Sequence, residues 1–268
     1  MRYHWPSPGQ TQIMGILNTT PDSFSDGGQF NRAESVRAHV EQMLSDGADI
    51  IDIGGESTRP GAQPVSAQQE LDRIMPALEY ALAAGATVSV DTSKAEVMVA
   101  VIKQGAHVIN DVLALQAPGA LAAIQQSDVA VCLMHMQGEP RTMQAAPSYQ
   151  DVVVEVSEFL QQRVQACEHA GIARSRLCVD PGFGFGKTLA HNLRLLKKLV
   201  EFTQSDIPVL VGLSRKSMIG QLTNAPVADR LAGSVALALL AAQAGARIVR
   251  VHDVRETRQA LKIWQALQ

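Results

Sequence analysis

The feature that most constrains this chain is a repeated exit phrase: Gly47-Ala48-Asp49-Ile50, Gly85-Ala86-Thr87-Val88, Gly105-Ala106-His107-Val108 and Gly245-Ala246-Arg247-Ile248. Each offers a glycine for the left-handed position that ends a helix, then a small residue, then a β-branched run. Runs of that kind recur at Gln12–Asn18, Asp49–Gly54, Thr87–Asp91, His107–Asp111, Val129–His135, Leu177–Asp180, Val209–Ser214 and Arg247–His252. Their nearly continuous apolar character requires burial on both faces, as in a parallel sheet covered by helices.

The segments between them carry helical signals. Asn31–Asp46 places Val36, Val40, Met43 and Leu44 on one face. Ser66 with Gln69 predicts a capping box before Leu71, Ile74, Met75, Leu78 and Leu82, and Ser93 with Glu96 and Asp253 with Glu256 predict the same device. Tyr149–Ala170 has an inner stripe of Val152, Val156, Phe159, Leu160, Val164 and Cys167. Strand number and length favour closure over an open doubly wound sheet, so the expected fold is α/β, a (βα)8 TIM barrel forming a single domain over residues 1–268.

Composition excludes several function classes. A chain that is 46% hydrophobic and 18% charged can build a full core, and a net charge of −3 gives no global field for nucleic acid or an anionic membrane. Cys132, Cys167 and Cys178 lack CxxC spacing, which predicts buried thiols and no zinc site or disulfide framework. The first ten residues have no apolar core of a signal peptide, and the apolar run Ala232–Ala246 is broken by Gly233, Ser234 and Gln243. A cytoplasmic location is expected.

In a βα-barrel the site lies at the carboxyl ends of the strands. Here the apolar runs end in Asn18, Glu56, Asp91, Asn110-Asp111, His135, Asp180, Ser214-Arg215-Lys216 and Arg250 with His252. One such residue could be a helix cap, and Ser214 or Asp111 alone fits that role as well; a full ring of them describes a pocket. Asp91 and Asp180 suit paired N–H donors, such as those of a 2-amino-4-oxopyrimidine, and Asn110 can match a donor and an acceptor together. Lys216, Arg250 and His252 add cationic or hydrogen-bonding donors near the last strands, where barrels often hold phosphate. Asn18 offers a neutral oxygen to a hard cation such as Mg²⁺.

Gly182-Phe183-Gly184-Phe185-Gly186-Lys187-Thr188 imitates a P-loop, but three residues separate Gly182 from Gly186 where that motif has four. It reads instead as a glycine-rich loop that lets backbone approach a ligand. His4, His39, His107, His169 and His191 have no ligand spacing, and Lys187, Lys197 and Lys198 read as a solvated helix rim.

Gly15-Ile16-Leu17-Asn18-Thr19-Thr20-Pro21-Asp22-Ser23-Phe24-Ser25-Asp26-Gly27-Gly28 and Asp52-Ile53-Gly54-Gly55-Glu56-Ser57-Thr58-Arg59-Pro60-Gly61 resemble the two signatures of dihydropteroate synthases. Ser89–Lys94, Ile109–Asp111, Met134–Gly138, Asp180–Lys187, Ser214–Ser217 and Arg250–Asp253 follow in family order. The resemblance implies that a pterin edge is held by Asp91, Asn110, Asp180 and Lys216, with Met134 and the Arg250 side chain flanking its faces. It implies a diphosphate on Asn18, Thr58, Arg250 and His252, with Mg²⁺ on Asn18. It places 4-aminobenzoate among Phe24, Arg59, Pro60, Phe183, Ser214 and Lys216. Catalysis would fall to Lys216, Arg250 and His252 with Asp22, Phe24 and Asp26 on a loop, also carrying Ser25, that closes over the substrates. The expected reaction joins 6-hydroxymethyl-7,8-dihydropterin diphosphate to 4-aminobenzoate and releases pyrophosphate.

Thr19 stands where many family members have valine; alternation turns it away from Asn18, so little effect is expected. A pterin-binding methyltransferase of the same barrel family is the nearest alternative, disfavoured by the diphosphate-clamping Thr58, Arg59, Arg250 and His252. A Schiff-base lyase using Lys216 would need a desolvated amine, against the neighbouring Arg215; a barrel that only binds pterin would not need the loop motifs. The resemblance also implies a homodimer through outer helices late in the barrel.

Overall fold

The computed structural model describes residues 3–20, 29–57, 61–139 and 142–267, with backbone alone for 29–32. Its strands are β1 Gln12–Asn18, β2 Ile50–Gly54, β3 Val88–Asp91, β4 Val108–Asp111, β5 Ala130–Met134, β6 Leu177–Asp180, β7 Leu210–Val211 and β8 Ile248–Val251. They pair in parallel in the order β6-β5-β4-β3-β2-β1-β8-β7. A parallel bridge between Val179 and Val209 joins the two ends of that order, and the expected (βα)8 TIM barrel results. Most strands lie within a residue of their expected ends. β7 is the exception, shortened to Leu210–Val211 because the chain leaves the ladder at Gly212 and turns at Arg215, whose φ is +57°.

The shell follows from helical periodicity. Between successive strands run α1 Gln29–Ser45, α2 Ala67–Ala83, α3 Ala95–Gln104, α4 Ala120–Gln125 and α5 Val152–His169. Then come α6 Leu189–Lys197 and α7 Leu199–Thr203 before β7, α8 Ser217–Thr223 and α9 Leu231–Gln243 before β8, and α10 Val254–Gln265. The exit glycines 47, 85, 105 and 245 have φ of 95°, 78°, 110° and 92°, the conformation their positions predicted. Ser66 and Gln69 form the capping box of α2.

The other two expected boxes are absent. α3 begins one residue later than the Ser93 cap requires, with Lys94 at the cap position and no side-chain cap bond. Lys94 is drawn off by Glu56 and Glu70, and its backbone N–H is taken by the Thr92 hydroxyl. Asp253 does precede α10, but its carboxylate is engaged by Arg215 instead of the helix N–H groups.

Alternation divides the barrel into two apolar regions. One lies between strands and helices; the other fills the barrel's lower interior with Met14, Ile50, Cys132, Cys178, Leu210 and Ile248. Tyr3 and Trp5 pack edge-on beneath them, tied by Tyr3 to Gln12 at 2.6 Å and by Trp5 to the Arg176 carbonyl at 2.9 Å. All three cysteines are buried free thiols, as expected. The closed floor leaves only the upper end of the barrel for polar chemistry.

Candidate active site at the upper end of the barrel

Arg250 is the centre of the upper layer. Its Nε donates to Asp52 Oδ2 at 2.6 Å and its Nη2 to Asp91 Oδ2 at 3.0 Å, while Asn110 Nδ2 donates to the same Asp52 oxygen at 3.2 Å. The in-register pairs Asp52–Ser89 and Asp91–Asn110 place these groups on adjacent strands facing inward. Burial pushes Asp91 up to about 7; Arg250 pulls the other way, and the charge of Asp52 adds to the rise. Asp52 is fully buried, and its Oδ1 and the neighbouring Ser89 hydroxyl have no hydrogen-bond partner.

Across the opening, Asp180 ends β6 beside Met134 of β5. Asp180 Oδ1 accepts from the Gly182 N–H at 2.7 Å, and burial holds its pKa above the ordinary range against the pull of Lys216. Lys216 donates to the Phe183 carbonyl, and its Nζ lies 4.5 Å from the centre of the Phe185 ring. Burial lowers it to about 8, opposed by Asp180 and reinforced by Arg250, so this amine is desolvated, contrary to what the neighbouring Arg215 suggested. The Ser214 hydroxyl accepts from the His252 N–H at 3.2 Å and lies 3.0 Å from His252 Nδ1. Asp91, Asn110, Met134, Asp180, Lys216, Arg250 and His252 are thus brought to one end of the barrel, with Asn18 at the end of β1 level with Gly54.

The likeness to known proteins is full-length. Residues 14–252 match the model of the pterin binding enzyme family. A dihydropteroate synthase of Escherichia coli K12 is 53% identical over 255 residues, covering 95% of this chain and 90% of that protein. The chain belongs to the dihydropteroate synthases. A Yersinia pestis dihydropteroate synthase in a sulfonamide drug complex superposes with a TM-score of 0.93 at 52% identity, covering 100% of this chain and 99% of that one. A Xanthomonas albilineans dihydropteroate synthase solved with 7,8-dihydropteroate gives 0.88 at 48% identity, covering 97% and 94%.

Two placements differ from expectation. Phe183 is fully buried in the shell, so its carbonyl, not its ring, reaches Lys216; the ring beside Lys216 is that of Phe185. Left-handed Gly182 and Gly184, at φ 69° and 79°, send the two rings in different directions. A Cβ on Gly182 would lie 1.8 Å from the His135 carbonyl oxygen, so only glycine fits there. Lys187 is the second difference. It is no solvated rim: it is 3% exposed and inserted between the β5 and β6 loops.

Other expectations resolve into structural roles. Asp111 accepts from the backbone N–H of Leu113 at 2.8 Å and Leu115 at 2.7 Å, closing the turn after β4; it caps no helix, since α4 begins at Ala120 behind Gly119. Thr19 is buried and donates to the Gly54 carbonyl at 3.1 Å. His191 shares a capping box with Thr188, and His107 Nδ1 accepts from the Val88 N–H. Asp22, Phe24, Ser25 and Asp26, and Thr58, Arg59 and Pro60, lie outside the described residues. Asp52 was not among the expected site residues, although an acid inside the run Ile50-Ile51-Asp52-Ile53 was visible, and a buried charge demands a partner.

Gly54 lies beside Asn18, the residue expected to hold a divalent ion. A Cβ on Gly54 would lie 3.7 Å from Asn18 Oδ1 and 4.0 Å from Asp91 Oδ2, so the missing side chain leaves space between two oxygens. Among the described residues no group of three or more acidic, histidine or cysteine side chains forms a ready-made metal cage. One amide oxygen completed by water and substrate phosphate suits Mg²⁺.

Proposed function

We propose that this chain condenses 6-hydroxymethyl-7,8-dihydropterin diphosphate with 4-aminobenzoate to give 7,8-dihydropteroate and pyrophosphate. The observation that carries this reading is the convergence of acceptors and donors in the upper layer. Asp91, Asn110 and Asp180 supply acceptors for a pterin's N–H edge, while Lys216, Arg250 and His252 supply donors for its carbonyl and its diphosphate tail. The dihydropteroate bound by the Xanthomonas albilineans relative supports it.

In the reaction the bond between the pterin methylene carbon and the diphosphate oxygen breaks, with its electron pair leaving on pyrophosphate. The amine nitrogen of 4-aminobenzoate forms the new bond and loses a proton. That nitrogen is already a free nucleophile near neutral pH, so the site needs no strong base. Its work is to orient the two reactants and to stabilise charge. Asp91 and Asp180 hold the ring, and Arg250, already fixed by two carboxylates, presents its remaining donors to the leaving group. Asn18 would hold Mg²⁺ by its amide oxygen, and that ion, when bound, supplies further positive charge to the diphosphate. The loop bearing Asp22, Phe24, Ser25 and Asp26, with Thr58, Arg59 and Pro60, would cover the site and exclude water that could otherwise capture the pterin cation.

The same reading includes a homodimer and a cytoplasmic location. Leu240 is exposed on α9, and Leu231 and Val227 are exposed at and before its first turn, which supports pairing of two copies through elements late in the barrel. Three free thiols suit a reducing compartment, and no helix among the described residues is long and apolar enough to cross a membrane. The test is pyrophosphate release from the pterin diphosphate with Mg²⁺, with and without 4-aminobenzoate. Release that depends on 4-aminobenzoate and matches dihydropteroate formed is the expected result. Release without product, or none from folded protein, overturns the reading; chelation with EDTA should abolish turnover if Mg²⁺ is required.

A further inference from the structure

Lys187 follows the glycine-rich loop, where an ordinary lysine would reach water. Its amine nitrogen instead lies 2.9 Å from the Gly182 carbonyl, 3.0 Å from the Phe185 carbonyl and 2.9 Å from His135 Nδ1, with the His135 carbonyl further off at 3.5 Å. Burial drives this group well below the ordinary lysine pKa, opposed by the charge of Asp180, and the converging acceptors use its N–H bonds. His135 can fill its part only as a neutral imidazole; burial, then the charge of Lys187, pushes it down to about 3. Its ring is locked edge-on against Phe159 at 4.9 Å.

These acceptors come from two loops. His135 follows β5, while Gly182 and Phe185 bracket the turn after β6. Gln144 adds a bond to the Gly184 carbonyl, and Tyr149 adds one to the Gly186 carbonyl at 2.8 Å. The fastened turn carries the two groups that meet Lys216: the Phe183 carbonyl and the Phe185 ring. The Asp180 backbone is held independently, its carbonyl accepting from the His135 N–H at 2.9 Å and continuing the β5–β6 ladder, although its carboxylate also takes the Gly182 N–H of this turn. Asp91 and Asn110 are strand residues on the opposite side.

We propose that Lys187 is a positioning residue for the aromatic amine: through Gly182, Phe185 and His135 it fixes the turn against which Lys216 rests. This rests on the function proposed above. Lys187→Met keeps length and burial but removes all three donors. The expected result is a rise of about tenfold in KM for 4-aminobenzoate, the scale of one lost charge-assisted bond, with pterin-diphosphate affinity within about threefold of wild type. The difference follows because the pterin keeps Asp91, Asn110, Asp180 and Arg250 on their strands and shares only Lys216 with the aromatic amine. A merely structural lysine would lower the melting temperature and the active fraction, without favouring one substrate's KM.

His135→Phe and His135→Gln decide the matter if Lys187→Met does not fold. Phenylalanine removes the acceptor while keeping the ring packing, and should raise the same KM; glutamine supplies an acceptor and should restore it in part. Unchanged KM for 4-aminobenzoate in these variants, or equal weakening of both substrates, overturns the proposal. Wild-type protein that makes no dihydropteroate overturns the functional reading first, and this proposal with it.

Discussion

Replacing Asp52 by asparagine probes the electrostatics of the upper layer without changing its shape. Asp52 and Asp91 share one guanidinium, that of Arg250, at 2.6 Å and 3.0 Å. Burial lifts Asp91 to about 7, and the charge of Asp52 contributes to that rise. Ionised Asp91 is the form that can accept two N–H bonds from a pterin. In the wild-type protein, kcat/KM for the pterin diphosphate should therefore climb as pH rises through about 7. Two unit charges about 5 Å apart at an effective dielectric of about 20 repel by about 3 kcal/mol. At about 1.4 kcal/mol per pH unit this is an upper bound of about 2 units, and the intervening Arg250 reduces it to about 1. Asp52→Asn should move the acid limb down by that amount. Arg250 loses one charged partner, so the plateau should also fall about tenfold or more, the scale of a charged hydrogen bond. The assay is the initial rate of pyrophosphate release, followed over about 4 pH units centred on neutrality. A limb that stays in place, or moves up, would refute the shared-guanidinium account.

The remaining predictions use the other half of the site. Asp180→Asn should weaken pterin binding by about tenfold to a hundredfold, measured by titration, whereas Asp26→Ala should mainly slow turnover; equal losses of binding in both would sink that division. Sulfonamides should compete with 4-aminobenzoate, because no insertion interrupts Phe24-Ser25-Asp26-Gly27-Gly28; inhibition that persists at high 4-aminobenzoate would contradict this. Arg215 holds φ +57°, pinned by its N–H to Ser234 at 2.9 Å and its carbonyl to Arg230 at 3.1 Å. Arg215→Val should cost about 2 kcal/mol or more in chemical denaturation, while Arg215→Gly should stay within about 1 kcal/mol, relief of strain offsetting a half-exposed ion pair. A valine variant as stable as the glycine one would show that the turn is not strained.

The barrel was legible in this sequence because its signals are local. A doubly buried strand must be apolar throughout, and a helix that turns back to a strand needs a left-handed residue, so Gly47, Gly85, Gly105 and Gly245 mark their positions without tertiary information. The polar strand ends were legible for the same reason. What escaped depends on partners far along the chain. Ser93 looked like a cap until Glu56 and Glu70 drew Lys94 into that place. Asp253 looked like another until Arg215, 38 residues away, took its carboxylate.

Asp52 and Lys187 show two kinds of failure. Asp52 sits at mid-strand, whereas catalytic groups were sought at strand ends; yet no fully buried acid is stable without compensation, and the isoleucines around it already demanded a cation from elsewhere. That cation is Arg250, 198 residues later. Lys187 carried no such warning, because a lysine after a glycine-rich turn normally reaches solvent. Its burial depends on the left-handed turns at Gly182, Gly184 and Gly186, which aim the Gly182 and Phe185 carbonyls at one point. Those glycines admit close backbone approach, as their pattern suggested, but the approaching group is the chain's own amine. The loop resembles a phosphate cradle in composition and inverts it in chemistry: carbonyls converge on an N–H donor where a phosphate site would direct N–H groups at an anion. The same turn that closes around Lys187 therefore gives Lys216 its wall.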